Sequence, residues 1–151
     1  MDPIDLKILS LLQHDGRLSN LELADQVALS PSACHRRVKL LEENGYIDGY
    51  HATLNSKKLG FDIQALVMLN VSQISDNTHR YITDEISRMP EVVGAYIVTG
   101  ETNYVLMVRT RNFEAFSQFV VNRLNKLRGV TKIHSQIMLS ELKSPGARVP
   151  L

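Results

Sequence analysis

The chain has 151 residues, a formal net charge of +1 and 44% hydrophobic side chains, enough apolar material for one domain or two small ones and unlike a disordered chain. No apolar run approaches the roughly 20 residues of a membrane span, and the acidic start MDPIDLK has no signal-peptide core. A single cysteine excludes an internal disulfide framework and fits a reducing, cytoplasmic setting.

Asp2 caps and Pro3 opens the first predicted helix, with Ile4, Ile8, Leu11 and Leu12 at helical spacing up to His14 and a turn at Asp15-Gly16. Ser19 and Glu22 form a capping box for a second helix. Leu21, Leu23, Ala24 and Val27 give that helix a short apolar stripe, and it should end near Val27 or Ala28. Leu29 then plugs the turn. Ser30 is the next N-cap, and Pro31 takes the first helical position, where its missing N–H costs nothing.

On a wheel of 100° per residue, Cys34, Val38 and Leu41 share one face of this third helix, and Gly45 stops it. Ser32, Arg36 and Lys39 fall opposite, with His35 beside them and Arg37 on the flank. A core-packed helix with Ser, His, Arg and Lys outward, preceded by a capped helix and a tight turn, has the build of a helix-turn-helix reading the DNA major groove. The plain alternative is a solvated charged face. Residues 1–50 carry eight acidic and five basic side chains, net −3, so the positive charge is local. One copy should bind DNA only modestly, because phosphate neutralisation supplies most non-specific affinity. Cys34, on the apolar face, reads as a buried small hydrophobe rather than a redox sensor.

After Gly45 the period changes. Tyr46, Ile47, Tyr50, Ala52 and Leu54 suggest a short strand pair or wing turning at Asp48-Gly49. The polar Asn55 to Gly60 marks a linker. Ile63 to Val71 reads as a buried strand, 76–89 as a helix stopped by Pro90, and Val92 to Val98 and Tyr104 to Arg109 as strands. Residues 112–127 read as a helix ended by Gly129, and Val130 to Leu142 as a long last strand. The expected fold is therefore α+β. A winged or tri-helical helix-turn-helix domain (1–50) leads through a linker or hinge strand (51–61) to a ferredoxin-like βαββαβ antiparallel-sheet domain (62–142), followed by a C-terminal tail (143–151). Several strands are apolar on both sides, so the sheet face without helices should be buried by another subunit.

Catalytic and metal chemistry is missing from the sequence. The five histidines have no ligand spacing with one another or with Cys34, no phosphate-binding glycine motif occurs, and no nucleophile stands beside a base. No metal, no cofactor and no enzyme activity are expected.

Taken together, IDLKILSLLQHDGR, LADQVALSPSACHRRVKLLEENGYIDGY and VTGETNYVLMV, in this order and spacing, make the chain resemble the Lrp/AsnC family of bacterial and archaeal feast/famine transcription regulators. The resemblance covers nearly the whole chain. It implies a cytoplasmic, nucleoid-associated regulator that binds double-stranded DNA, pairs as a homodimer and assembles as a tetramer of dimers. It also implies an amino-acid effector bound at an oligomer interface. Leucine or methionine is favoured, since the interface strands are rich in Ile, Val, Leu and Met. Ser30, Ser32, His35, Arg36, Arg37 and Lys39 would serve DNA binding, with Arg37 on phosphate or bracing the helix.

The family's effector loop matches Gly100, Glu101, Thr102, Asn103 and Tyr104. Ser135, Gln136 and Ile137 resemble positions lining the same pocket, though ordinary alternation on an interface strand explains them equally well. Where Asn103 stands the family often has aspartate, which could pair with an effector ammonium. Asn103 offers only a neutral carbonyl or amide. Two rival readings are an enzyme or sensor without DNA function, and a nucleoid-like architectural protein with no effector.

Overall fold

The structure, a computed structural model, describes residues 1–72, 75–143 and 149–151. The chain divides into two compact units, residues 1–53 with 143–151, and residues 54–142.

In the first unit, three helices surround a small core: α1 (Pro3–His14), α2 (Asn20–Gln26) and α3 (Pro31–Glu43). The Asp2 side chain accepts from the Asp5 N–H while Asp5 returns to the Asp2 N–H, and Ser19 and Glu22 repeat the device on α2. Ser30 accepts from the Ala33 N–H at the start of α3. Ile8, Leu23, Ala24, Val27, Cys34 and Leu41 are buried together, with Leu29 and Val38 packed against them. Gly45, at φ +71°, ends α3 in a backbone conformation that favours glycine. In the turn between α2 and α3, Ala28 takes φ +54° without being glycine.

No strand forms between Gly45 and Ile63, which corrects the expected wing and hinge strand. Ile47 packs on the helical core instead, and the Tyr50 hydroxyl donates to Glu42 Oε1 at 3.0 Å, so these apolar residues fold back onto the helices rather than pairing. Asn55 to Phe61 form a capped turn in which Asn55 Oδ1 accepts from the Lys58 N–H and Phe61 N–H bonds Ser56 O. Of the expected tail, residues 144–148 lie outside the described residues. Val149 exchanges two hydrogen bonds with the Gln13 side chain, at 2.9 and 3.0 Å.

The second unit runs β1 (Ile63–Val71), α4 (Asp76–Ser87), β2 (Val92–Ile97), β3 (Tyr104–Thr110), α5 (Phe113–Asn122) and β4 (Val130–Ile137). The sheet is antiparallel in the order β2-β3-β1-β4, the expected ferredoxin-like arrangement. Ala65, Val67, Leu69, Leu106 and Val108 point to the helix side and are wholly inaccessible, sharing a core with Ile82 and Ile86 of α4 and Phe116 and Phe119 of α5. Alternation puts Leu66, Met68, Val105 and Met107 on the opposite face, where they are half-buried.

Two boundaries differ from expectation. The last helix stops at Asn122 and continues as a 3-10 turn, Leu124–Lys126. That tighter period aligns residues three apart and keeps both Leu124 and Leu127 in the core. The last strand stops at Ile137, opposite Ala65, with one further bond from Met138 N–H to Gln64 O; β1 begins at Ile63, so a strand running on to Leu142 would have no partner for its last residues. Leu139 and Leu142, expected in the strand, are 97% exposed. No helix among the described residues is long and apolar enough to cross a membrane.

Candidate functional site: a basic helix face and a loop pocket

The outward face of α3 carries Ser32, His35, Arg36 and Lys39, all exposed. Cys34 and Leu41, at 0% and 4% exposure, anchor its other side. Burial pushes the Cys34 thiol pKa up, so it stays a protonated, inert hydrophobe. Lys39 Nζ stands 3.6 Å from Glu43 Oε1, an exposed pair with little hold on it. Ser30, expected among the DNA contacts, spends its hydroxyl on the cap and lies 3.3 Å from the Ser32 hydroxyl.

Arg37 differs from its neighbours. One guanidinium nitrogen, Nη1, lies 2.7 Å from both Asp2 Oδ2 and Asp5 Oδ1, which ties α3 to the start of α1. The bond to the Asp5 carboxylate, then that to Asp2, raises the Arg37 pKa. The Asp5 N–H first, and the Arg37 guanidinium second, hold the Asp2 carboxyl below the usual carboxylate range. Of the two roles open to Arg37, the geometry is that of a brace. Asn20 adds another, donating from Nδ2 to Pro31 O at 2.9 Å.

In the sheet unit, the β2–β3 loop is stitched to the end of β1. Asn103 N–H donates to Leu69 O, Val98 N–H donates to Asn103 O, and Asn103 Oδ1 accepts from the Val71 N–H at 2.6 Å. Asn70 donates its side-chain amide to Glu101 O. The Asn103 carbonyl is thus committed to backbone, and its amide donors remain. Gly100, exposed at φ +113° with nothing near a would-be Cβ, forms the loop's outer corner; Glu101 is exposed and Thr102 half-buried.

Tyr104 sits in the core at 4% exposure. Its hydroxyl lies 2.9 Å from His79 Nδ1 on α4, and the two rings stack with centroids 6.1 Å apart. Burial raises the Tyr104 pKa. Beside this pair opens a pocket of about 250 Å³, lined by Ser75, Asp76 and His79 from the start of α4 and by Ile97, Val98, Asn103 and Tyr104 around the loop. Sequence reasoning named Asn103 and Tyr104 but missed the α4 residues, which only the fold brings to the loop.

Ser135, Gln136 and Ile137 are not at this pocket. Ser135 faces Val67 and Ile137 faces Ala65 on β1, whereas Tyr104 faces Leu69 from the other side. At about 3.4 Å per residue along a strand and 4.8 Å between strands, the loop and Ile137 lie about 15 Å or more apart. Nor do the three share a face: Ser135 and Ile137 fall on the helix side by register, and Gln136, opposite Leu66, on the open side. One chain does not unite the two sets. No group of side chains suited to a metal occurs among the described residues.

Comparison with known proteins gives these surfaces a context. Residues 1–48 match the family described as winged helix-turn-helix DNA-binding, and residues 64–147 match the Lrp/AsnC ligand binding domain. The chain is 36% identical over 143 residues to the leucine-responsive regulatory protein of Rhizobium meliloti, covering 95% of this chain and 92% of that protein. Among solved structures, it resembles a transcriptional regulator of Neisseria meningitidis in complex with L-Met, at 36% identity and a TM-score of 0.91 over 95% of this chain and 93% of that one. It also resembles an AsnC family regulator from Agrobacterium tumefaciens, at 29% identity and a TM-score of 0.93 over 99% and 97% of the two chains. With a helix-turn-helix DNA-binding unit and an Lrp/AsnC ligand-binding unit in one chain, and with regulators rather than enzymes as its relatives, the protein belongs to the Lrp/AsnC family of transcription regulators.

Proposed function

We propose that this chain is a sequence-specific DNA reader whose occupancy or assembly responds to an aliphatic or thioether amino acid, leucine or methionine, bound where copies of the chain meet. The observation that carries the reading is the division of α3. Ser32, His35, Arg36 and Lys39 are exposed together, while Arg37 is turned to Asp2 and Asp5. Arg36 and Lys39 are free to meet base edges and phosphate, and Arg37 fixes the helix that presents them. A good bidentate arginine–guanine pair contributes about 1–3 kcal/mol of discrimination.

Replacing Arg36 and Lys39 by Ala tests this on a promoter fragment at constant salt. Binding should fall by tenfold or more; unchanged affinity would remove this face from the reading. Competition with unrelated DNA separates a sequence-specific regulator from an architectural protein, which would lose its operator equally to any duplex.

The assembly follows from the sheet. Leu66, Met68, Val105 and Met107 lie side by side on the face without helices, next to Val93 and Tyr96, which are 54% and 56% exposed. A contiguous apolar face of this kind marks an interface, and a second copy gives it a self-complementary partner. Further copies would bring a Ser135–Ile137 segment to another chain's loop. The effector would then act by binding one assembly better than another. Gly100→Val puts a β-branched residue at φ +113°. The expected result is loss of effector response with basal DNA binding retained, read by anisotropy with and without L-leucine or L-methionine.

A further inference from the structure

The pocket beside Tyr104 has a charge pattern that the loop alone does not supply. Its loop side offers the Asn103 amide, whose carbonyl is already held by the Val71 N–H at 2.6 Å, so donors remain there. Its far wall is apolar, with Ile97 and Val98. Its α4 side brings Asp76, the one carboxylate among its described lining residues. A volume of about 250 Å³ falls below the roughly 300–1,000 Å³ of sites for drug-sized ligands.

We propose that Asp76 is the ammonium-binding residue of this pocket. In it an α-amino acid would place its ammonium on the Asp76 carboxylate, its carboxylate on the Asn103 amide and its side chain against Ile97 and Val98. Resting on the reading of the chain as an amino-acid-responsive regulator, this adds the residue that selects for the amino group.

Three features support it. The three kinds of lining group match the three parts of an α-amino acid, and Asp76 is exposed, so its carboxylate is open to a charge-assisted hydrogen bond from an ammonium. The walls are fixed in advance: Tyr104 is hydrogen-bonded to His79 at 2.9 Å, and Asn103 is bonded through backbone and side chain to β1. Asp76 is placed by the Ser75 cap, whose hydroxyl accepts from the Thr78 N–H at 3.2 Å. A preformed site spends less of its binding free energy on ordering.

The test is calorimetry on the full chain with four probes: L-methionine, L-leucine and their des-amino counterparts, 4-(methylthio)butanoate and 4-methylpentanoate. Wild type should prefer each amino acid over its counterpart. In Asp76→Asn the amino acids should weaken by about tenfold or more, while the des-amino acids bind as well as before or better, so the preference collapses. A thermal melt of the variant checks the fold, but the preference is the readout, because damage to the pocket would weaken both classes alike. Equal loss of both classes, or an unchanged preference, would overturn the role of Asp76 and leave the amino-acid response standing. Absence of binding of any amino acid to wild type would overturn both.

Discussion

Among the described residues, six buried side chains make the core of the helical unit and fourteen that of the sheet unit. The helical unit makes up the difference locally. Each of its three helices has a side-chain N-cap, two of them reciprocal boxes, and one charged side chain, Arg37, joins α3 to α1. The sheet unit relies on long-range pairing, with β1 central between β3 and β4 and both helices on one face. A small core braced at its ends suits a part that must present one helix face; a large core with one face open suits a part that assembles.

The largest effects should come from equal truncations in the two cores. Ile8→Ala and Leu106→Ala each remove a wholly inaccessible side chain and should cost about 2–5 kcal/mol. In the smaller unit that is most of what a marginal domain has. Ile8→Ala should abolish DNA binding while leaving the assembled mass intact, and Leu106→Ala should reduce the assembly. Urea titrations followed by circular dichroism should show two separable transitions; a single transition moved equally by both variants would break the contrast.

Next in size are the caps. Ser19→Ala and Ser30→Ala should each destabilise the helical unit by about 0.5–2 kcal/mol. Asn112→Ala, which removes the cap of α5, should cost a similar amount in the sheet unit and move its midpoint by a smaller fraction. Equal fractional shifts would show that the helical unit does not lean on its caps.

Acid should sharpen the contrast. The Asp2 pKa is depressed in the folded state, so its contribution is complete above the ordinary carboxylate value near 4. It is lost as pH falls through the lower folded value. Melts from pH 6 down to 3 should show the helical unit weakening in that window, and Asp2→Asn should flatten the dependence. The smallest effect is Ala28→Gly. Relief of a left-handed alanine, about 1–2 kcal/mol, less the entropy cost of glycine, should leave the helical unit more stable by up to about 1 kcal/mol in the same titrations.

What the sequence made legible follows the same division. Caps, proline and the wheel placed all three helices, because the signals for a helix start lie within four residues of one another. The stretch from Tyr46 to Leu54 misled because its apolar residues were read as strand alternation, whereas Ile47 and Tyr50 return to the helices. How far β4 could run was hidden because its pairing is limited by where β1 begins, some seventy residues earlier. Arg37 stood on the flank of the wheel with two roles open, and only its distance to Asp2 and Asp5 separates them. Asp76 and His79 looked like ordinary residues of an amphipathic helix. Nothing local announces that the chain will return 25 residues later to set Tyr104 against His79.

The most direct test of two units cooperating in one regulator is mass in solution, by light scattering after size exclusion, with and without each of the twenty amino acids. The account predicts an assembly of more than one chain, changed in size by leucine, methionine or a close relative. A monomer indifferent to all twenty would contradict it, because the open sheet face would then have no partner and the effector no interface to act through.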